Sequence, residues 1–346
     1  MDRRQFLATL AATAASTALP SGWALASPSA DWKWLQGNWQ VRHQRLKERL
    51  VGDTRWDAFT GASAVWLTLG GLGTIDDNVM ALPSGPYRGL GVRAFDPVSS
   101  TWSIWWIDGR TPAHIEAPVR GAFAGDGGSF RGRDDFKGRP IEVWFRWHDI
   151  HGDEPWWEQA FSDDAGAHWE VNWRNWFRRT AAIPTPLPKL PDAPGDFDFL
   201  VGHWNVRHRR LRARLAGSDA WDAFNGTLHN WPVLGGFGNV GDNLMDVPGA
   251  PLRGMGIRAW NAAERHWLSW WLDGRAPTRI GAPLRGGFEA GVGRFFGEDQ
   301  HEGRAIQTRV IWSRITPRSA RWEQAASADG GRSWETNWVS DFERQA

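Results

Sequence analysis

The sequence lacks cysteine entirely, has a single tyrosine and carries almost no net charge. Without cysteine, disulfides, thiolate catalysis and cysteine-ligated zinc or iron–sulfur centres are excluded. Forty Lys and Arg against 39 Asp and Glu give a formal charge of +1, so no strong field attracts nucleic acid or an anionic membrane. The apolar runs are too short and too broken for a stable membrane span. Neither nucleic-acid binding nor stable membrane insertion is therefore expected.

Tryptophan is abundant, with 27 residues against the single Tyr87. Each buried tryptophan removes about 150–250 Å² from water, so most of them are expected in hydrophobic cores. A minority that lined a cavity would suit flat ligands such as sugars, aromatic compounds or porphyrins.

The first 26 residues are predicted to be a signal peptide. Arg3-Arg4-Gln5-Phe6-Leu7 resembles the twin-arginine export pattern, and Ala24-Leu25-Ala26 fits a small-x-small cleavage site. We therefore expect export to the periplasm by the twin-arginine pathway, with cleavage after Ala26.

The rest of the chain is a duplication, because Trp39 recurs as Trp204 and Trp169 as Trp334, each 165 positions later. Solenoid and propeller units repeat at about 20–50 residues, so this longer offset marks duplicated whole domains. The sequence predicts domains over 32–179 and 197–344, joined by a proline-rich polyproline II linker at 180–196. Proteolysis within this linker is expected to release two stable fragments, and packing of the two domains on each other is left open.

Each repeat is predicted to be all-β. Its β-branched and aromatic segments alternate with period two and are separated by Gly, Pro, Asn and Asp. About ten strands are predicted in the second repeat, near 204–215, 220–232, 237–246, 252–260, 266–273, 283–290, 293–299, 305–315, 320–327 and 333–342. Ten sequential antiparallel strands can close into an up-and-down barrel, which removes the sheet edges. A seven-strand sandwich is the alternative.

A hairpin motif, Ser-x-Asp-x-Gly-x-x-Trp, occurs once in each repeat. Its residues are Ser162, Asp164, Gly166 and Trp169, and again Ser327, Asp329, Gly331 and Trp334. The spacing resembles the Asp-box turn of sialidases and other propellers, in which Asp accepts hydrogen bonds from turn amides and Gly takes a positive φ. A structural role is expected. A sialidase propeller would need several such turns at blade spacing.

Each repeat opens with a short apolar segment and Gly-x-Trp, at Gly37-Asn38-Trp39 and Gly202-His203-Trp204. This opening resembles that of lipocalin-like (calycin) barrels, and the whole pattern resembles bacterial lipocalin-like domains of unknown function. The resemblance implies a 3₁₀ turn that closes one barrel end, and an arginine, Arg179 or Arg344, stacked over the tryptophan. Calycins include lipid carriers, haem-binding nitrobindin-like barrels and some lyases or hydratases, so the fold implies no single reaction.

Strand parity points to candidate ligand-binding residues. If Trp39 faces inward, His43 and Arg45 share its face. A carboxylate such as Glu158 is expected to pair with Arg45 or Arg93, because an unpaired buried charge is costly. The predicted ligand-binding set is His43, Arg45, Arg93 and Glu158 with their copies His208, Arg210, Arg258 and Glu323. An internal salt-bridge plug built from the same residues is the alternative.

The favoured function is a periplasmic binding protein that holds a sugar, an aromatic compound or an amphipathic ligand inside Trp- and Arg-lined barrels. An enzyme of lyase, hydratase or glycoside-processing type, using Glu158, His43 and Arg45 for acid–base chemistry, is one alternative. A haem-binding barrel using His43 and His208 is the second.

No other cofactor and no metal site are predicted. His148-x-x-His151 is the only close histidine pair, and Ser313 and Thr316 replace it in the second repeat.

Overall fold

The computed structural model describes residues 30–345, so the predicted signal peptide lies outside the described residues. The chain forms two closed antiparallel barrels of ten strands each, in tandem. This confirms the predicted fold class and rules out the sandwich. Barrel 1 comprises β1 (Gly37–Leu46), β2 (Trp56–Thr68), β3 (Gly73–Leu82), β4 (Gly85–Asp96), β5 (Thr101–Asp108), β6 (Val119–Ala124), β7 (Gly127–Phe136), β8 (Arg139–His148), β9 (Trp156–Ser162) and β10 (Glu170–Ala181).

Barrel 2 has the same strand order, and its strands match the predicted ones to within a few residues. They are β11 (Gly202–Leu211), β12 (Trp221–Val233), β13 (Gly238–Met245), β14 (Leu252–Asn261), β15 (His266–Asp273), β16 (Leu284–Glu289), β17 (Val292–His301), β18 (Arg304–Ser313), β19 (Ser319–Ser327) and β20 (Glu335–Arg344). Each strand pairs with its sequence neighbours, and the first strand of each barrel also pairs with the last. Closure leaves no unpaired sheet edge.

One end of each barrel is closed by a 3₁₀ turn, Lys33–Leu35 in barrel 1 and Asp198–Leu200 in barrel 2. In barrel 1 the indole N–H of Trp39 donates to the carbonyl of Leu35 (2.7 Å), and the Arg179 guanidinium lies 4.1 Å over the Trp39 ring. Barrel 2 repeats the stack with Arg344 at 4.3 Å over Trp204. We call this the closed end; its 3₁₀ turn and its arginine stacked over the tryptophan are those that the resemblance to lipocalin-like barrels implies.

The opposite end carries the β1–β2, β5–β6 and β9–β10 loops, and we call it the loop end. The predicted hydrogen bonds are present in its β9–β10 turn and in the copy of that turn, β19–β20. Asp329 accepts from the backbone N–H of Arg332 (3.0 Å) and of Ser333 (2.9 Å), and Asp164 accepts from that of His168 (2.9 Å). Gly166 and Gly331 have φ values of 87° and 86°.

The two barrels share a hydrophobic core built from the outward faces of β2–β5 and β12–β15. At its centre Trp66 stacks on its own copy, Trp231, with ring centroids 5.2 Å apart. The linker also packs here, because the backbone N–H of Leu190 donates to the carbonyl of Gly235 (2.8 Å). The packing of the two domains on each other, which the sequence left open, is therefore present, and it argues against the expected release of two separate fragments by proteolysis.

None of the helical segments within residues 30–345 has the length and apolar composition that crossing a membrane requires.

Candidate functional site

Strand β1 places His43 and Arg45 on the interior face of barrel 1, together with Trp39. His43 is only 4% exposed, and its ring stacks on Phe59 of β2 at 4.8 Å with an interplanar angle of 11°. Phe59 is the register partner of His43. In barrel 2, His208 stacks on Phe224 in the same way at 5.0 Å. Both histidines lie between the tryptophan of the closed end and the loop end.

The two histidines are neutral at neutral pH, because burial lowers the pKa of His43 and that of His208 to about 4. In barrel 1 the Nδ1–H of the neutral ring can donate to Oδ1 of Asn175, 2.6 Å away. In barrel 2 the hydroxyl of Ser340 lies 2.8 Å from Nδ1 of His208. A neutral imidazole contributes a hydrogen-bonding surface to the barrel wall but no charge.

The guanidinium of Arg45 has no hydrogen bond or ion pair within residues 30–345. It lies 5.3 Å from the ring centroid of Trp173 and 5.9 Å from that of Phe59. The carboxylate of Asp57, the register partner of Arg45 on β2, is bound by Lys47 (3.5 Å).

Barrel 2 repeats this arrangement. Arg210 lies over Trp338 and Phe224 at 5.3 and 5.8 Å, likewise without a polar partner in the described chain. Arg212 binds the carboxylate of Asp222 (2.7 Å). Each barrel thus has one interior guanidinium at its loop end with all its donors available.

Tyr87 and Trp106 complete the lining of the loop end in barrel 1. The Trp106 indole N–H donates to the Tyr87 hydroxyl (2.6 Å), and Arg110 lies 4.1 Å over the Tyr87 ring. Trp106 lies so close across Gly89 that any Cβ there would collide with the indole. Neither residue belongs to the ligand-binding set that the sequence predicts. The recurrence of Trp106 as Trp271 and of Gly89 as Gly254 could have revealed them.

Arg93 also faces the interior, but it lies deeper, beside the closed end. Its guanidinium donates to Asp76 (2.6 Å) and to the hydroxyl of Thr74 (3.1 Å), and it lies 4.4 Å over the buried ring of Trp32. The counter-charge of Arg93 is therefore Asp76 on the neighbouring strand, and the expected pairing with Glu158 is wrong.

Arg258, the copy of Arg93, lies at the same depth in barrel 2. Its Nη1 donates to Oδ1 of Asn239 (2.8 Å). Gly241 stands where barrel 1 has Asp76, so the pair found in barrel 1 cannot form.

Glu158 and Glu323 lie on the outer face of their barrels, so their assignment to an interior site is wrong. Glu158 binds Arg146 (2.6 Å), and Arg174 lies 3.6 Å away. Its neighbour Trp157 faces inward and pairs in register with Trp147. Glu323 pairs in register with Ile311 and Val339. The acid–base set Glu158, His43 and Arg45 is therefore not assembled.

Axial haem ligation through these histidines does not fit the geometry. Nε2 of His43 lies against β2, where a Cβ on Gly61 would be 2.6 Å away, and Gly226 is equally close to Nε2 of His208 at 2.8 Å. An iron atom bound at either nitrogen would have to occupy the barrel wall.

A metal site is also unsupported within residues 30–345, since no group of three or more His, Asp or Glu is arranged to hold an ion there. His148 instead stacks on Trp156 at 3.9 Å.

No protein-family model matches the sequence, and no curated protein matches it. Among solved structures, an S-type phycobiliprotein lyase from Guillardia theta matches 43% of this chain and 90% of its own, with 13% identity and a TM-score of 0.31. A protein of unknown function of the DUF3598 family from Nostoc punctiforme matches 93% of this chain and 100% of its own, with 10% identity and a TM-score of 0.25. Such scores carry no argument about function, which must come from the geometry.

Proposed function

We propose that the protein is an exported, periplasmic binding protein that takes up a small organic anion with a flat apolar body at the loop end of each barrel. One observation carries this proposal. In both barrels an interior guanidinium, Arg45 or Arg210, lies over two aromatic rings and has no protein partner among the described residues.

The guanidinium fork suits a carboxylate. It presents parallel N–H donors that bind both oxygens of one carboxylate. The rings of Phe59 and Trp173 would pack against an aromatic or aliphatic body on the same ligand. Within the classes that the sequence suggested, the site therefore favours aromatic and amphipathic acids over neutral sugars.

Two further arginines, Arg49 and Arg110, lie near Arg45 at the loop end of barrel 1. Burial lowers the pKa of Arg45, the nearby Asp57 carboxylate raises it, and the charge of Arg110 lowers it again. Burial and Arg45 lower the pKa of Arg49, while Glu170 and Glu48 raise it. Arg110 is already paired with Asp108 (2.7 Å), so an anion bound at Arg45 would chiefly relieve the repulsion between Arg45 and Arg49. In barrel 2 the copy of Arg49, Arg214, already donates to His301 (3.2 Å), so we expect weaker binding there.

The assignment to the periplasm rests on the twin-arginine pattern at Arg3-Arg4 and the cleavage site that ends at Ala26. An enzymatic alternative has less support, because Glu158 lies on the outer surface.

Calorimetric titration tests the binding proposal. Benzoate, indole-3-acetate and decanoate are compared with their neutral amides and with glucose. We expect the acids to bind and the amides to bind at least tenfold more weakly. Arg45→Met keeps most of the apolar stem but removes the charge, and losing a charge-assisted hydrogen bond of about 1.5–3 kcal/mol weakens binding by roughly 10- to 150-fold.

The matched control is Arg207→Met, because Arg207 lies on the outer face of β11 with 74% of its side chain exposed. Arg210→Met should remove the second site independently. Equal affinity for the amides, or unchanged binding in the Arg45→Met, Arg210→Met double variant, would refute the proposal.

A further inference from the structure

The closed halves of the two barrels differ in one buried charge. In barrel 1 the Arg93 guanidinium is neutralised by Asp76. In barrel 2 Arg258 occupies the matching position on β14, but the residue matching Asp76 is Gly241. The second barrel keeps the cation and lacks the anion.

Arg258 has no carboxylate partner anywhere in the described chain. Its only side-chain hydrogen bond is the one to Asn239, and its guanidinium lies 5.0 Å from the ring of Phe197 and 5.6 Å from that of Trp312. Burial lowers the pKa of Arg258 to about 10, so the group still carries its charge at neutral pH. A buried charge without a counter-charge is costly, which makes an anion at this position favourable.

Asn239 supplies a second donor beside the guanidinium. It is 3% exposed, and its Oδ1 accepts from both Arg258 (2.8 Å) and Asn230 (3.1 Å). Its amide nitrogen has no partner among residues 30–345. The amide cannot turn over to satisfy that nitrogen, because the nitrogen would then face the Nη1 donor of Arg258.

Two of the side chains around Arg258 are smaller than their copies around Arg93. Gly241 replaces Asp76, and Ser269 replaces Ile104 in register with the arginine. Arg258 and Ser269 keep accessible surface inside barrel 2, whereas Arg93 and Ile104 are 6% and 8% exposed.

Leu228 stands where barrel 1 has Ser63, and its larger side chain reaches the position next to Gly241. Its Cδ1 would lie 2.7 Å from a Cβ on Gly241. Any group that binds next to Gly241 is therefore limited to a few atoms.

We propose that barrel 2 binds a small monovalent anion, either a halide or a carboxylate as small as formate, beside the Arg258 guanidinium and the amide nitrogen of Asn239. In barrel 1 the carboxylate of Asp76 occupies the equivalent position and already neutralises Arg93. We therefore expect no anion site there. This site is separate from the loop end and does not depend on ligand binding at Arg210.

Bromide is the probe. The full-length protein is melted in sodium bromide and in sodium gluconate at equal ionic strength, since gluconate is too large for the site. We expect a saturable rise in melting temperature with bromide, and one anomalous diffraction peak beside Arg258 with none beside Arg93. No peak at Arg258 in crystals grown with bromide would overturn the proposal, whatever the variants do.

The test variant transfers the carboxylate of barrel 1 into barrel 2 by Gly241→Asp together with Leu228→Ser, which removes the clash. It should weaken the bromide effect at least tenfold without lowering the melting temperature in gluconate. Leu228→Ser alone is the matched control and should keep the effect. An undiminished bromide effect in the double variant would also overturn the proposal.

Formate distinguishes the two sources of the anion. Displacement of bromide by formate identifies carboxylates as occupants, and its failure identifies halide as the occupant. The Arg45→Met, Arg210→Met variant should keep the bromide effect, so failure of the loop-end proposal and failure of this one are distinguishable.

Discussion

The carboxylate of Asp77 in barrel 1 accepts a hydrogen bond from the backbone N–H of Leu234 in barrel 2, at 3.0 Å. Asp242 of barrel 2 accepts from Leu69 of barrel 1 at the same distance. Both leucines have φ of 53°, so each barrel holds a left-handed turn of the other in place. Both carboxylates are largely buried, because the shared core surrounds them.

Stability should therefore depend on the protonation of Asp77. Burial raises its pKa from 3.8 to about 6, so between these values the folded protein binds more protons than the unfolded chain. Above pH 6 the ionised Asp77 carboxylate lowers the free energy of unfolding by on the order of 2–3 kcal/mol. This stability is regained as the pH falls through 6 and the carboxylate binds a proton. Asp77→Asn keeps an acceptor for Leu234 and should be the more stable protein at pH 7.5, with no advantage at pH 4. Urea unfolding at both pH values measures this.

The control is Asp153→Asn in an exposed loop, which should leave the pH profile unchanged. If wild type and Asp77→Asn keep a constant difference in unfolding free energy between pH 4 and 7.5, the buried carboxylate does not titrate as described.

The two barrels are expected to unfold as one cooperative unit. Calorimetry should give a single transition, because the barrels share the core around Trp66 and Trp231. Trp66→Ala should cost about 3–5 kcal/mol, and Trp271→Ala, at a residue that is 42% exposed, should cost much less. Protein nicked in the exposed stretch 180–186 should elute as one species in gel filtration. Two separate fragments would contradict the shared core.

Replacing Asp329 with Ala should loosen the β19–β20 turn without affecting ligand binding. The variant leaves the backbone N–H groups of Arg332 and Ser333 without their acceptor, so its melting temperature should fall by a few degrees. Affinity measured by calorimetry should be unchanged. A variant with normal stability and no binding would show that the turn touches the ligand.

Export is expected to require the arginine pair at positions 3 and 4. Arg3→Lys together with Arg4→Lys should leave uncleaved precursor in the cytoplasm, which cell fractionation and mass spectrometry of the N-terminus would show. Processing after Ala26 in both the wild-type protein and the variant would contradict the twin-arginine assignment.

The repeat predicted most of the fold, because one offset aligned every strand of both copies. Trp39 also set the parity of β1 correctly, since alternation carries inward orientation along a regular strand to His43 and Arg45. No residue of known orientation sets the parity of β9. The sequence therefore does not reveal that Glu158 lies on the outer face, where Arg146 and Arg174 flank it. The pairing partner of a charge across strands depends on register, which alternation does not supply.

The sequence of β2 also indicates the shared core. In the run Ala64-Val65-Trp66-Leu67 apolar residues occupy both faces of β2, which indicates a strand buried on both sides. Barrel closure accounts for one buried face only, so the other required a partner surface. The second barrel supplies it.

The stack of Trp66 on its own copy places these residues on an approximate two-fold axis between the barrels. A homodimer with this interface would have to accept every substitution on both sides of the axis at once. In the fused chain the two halves are encoded separately, so one can carry Asp76 while the other carries Gly241 with the joint surface untouched. Fusion therefore lets a symmetric scaffold hold two interiors of different charge within one polypeptide.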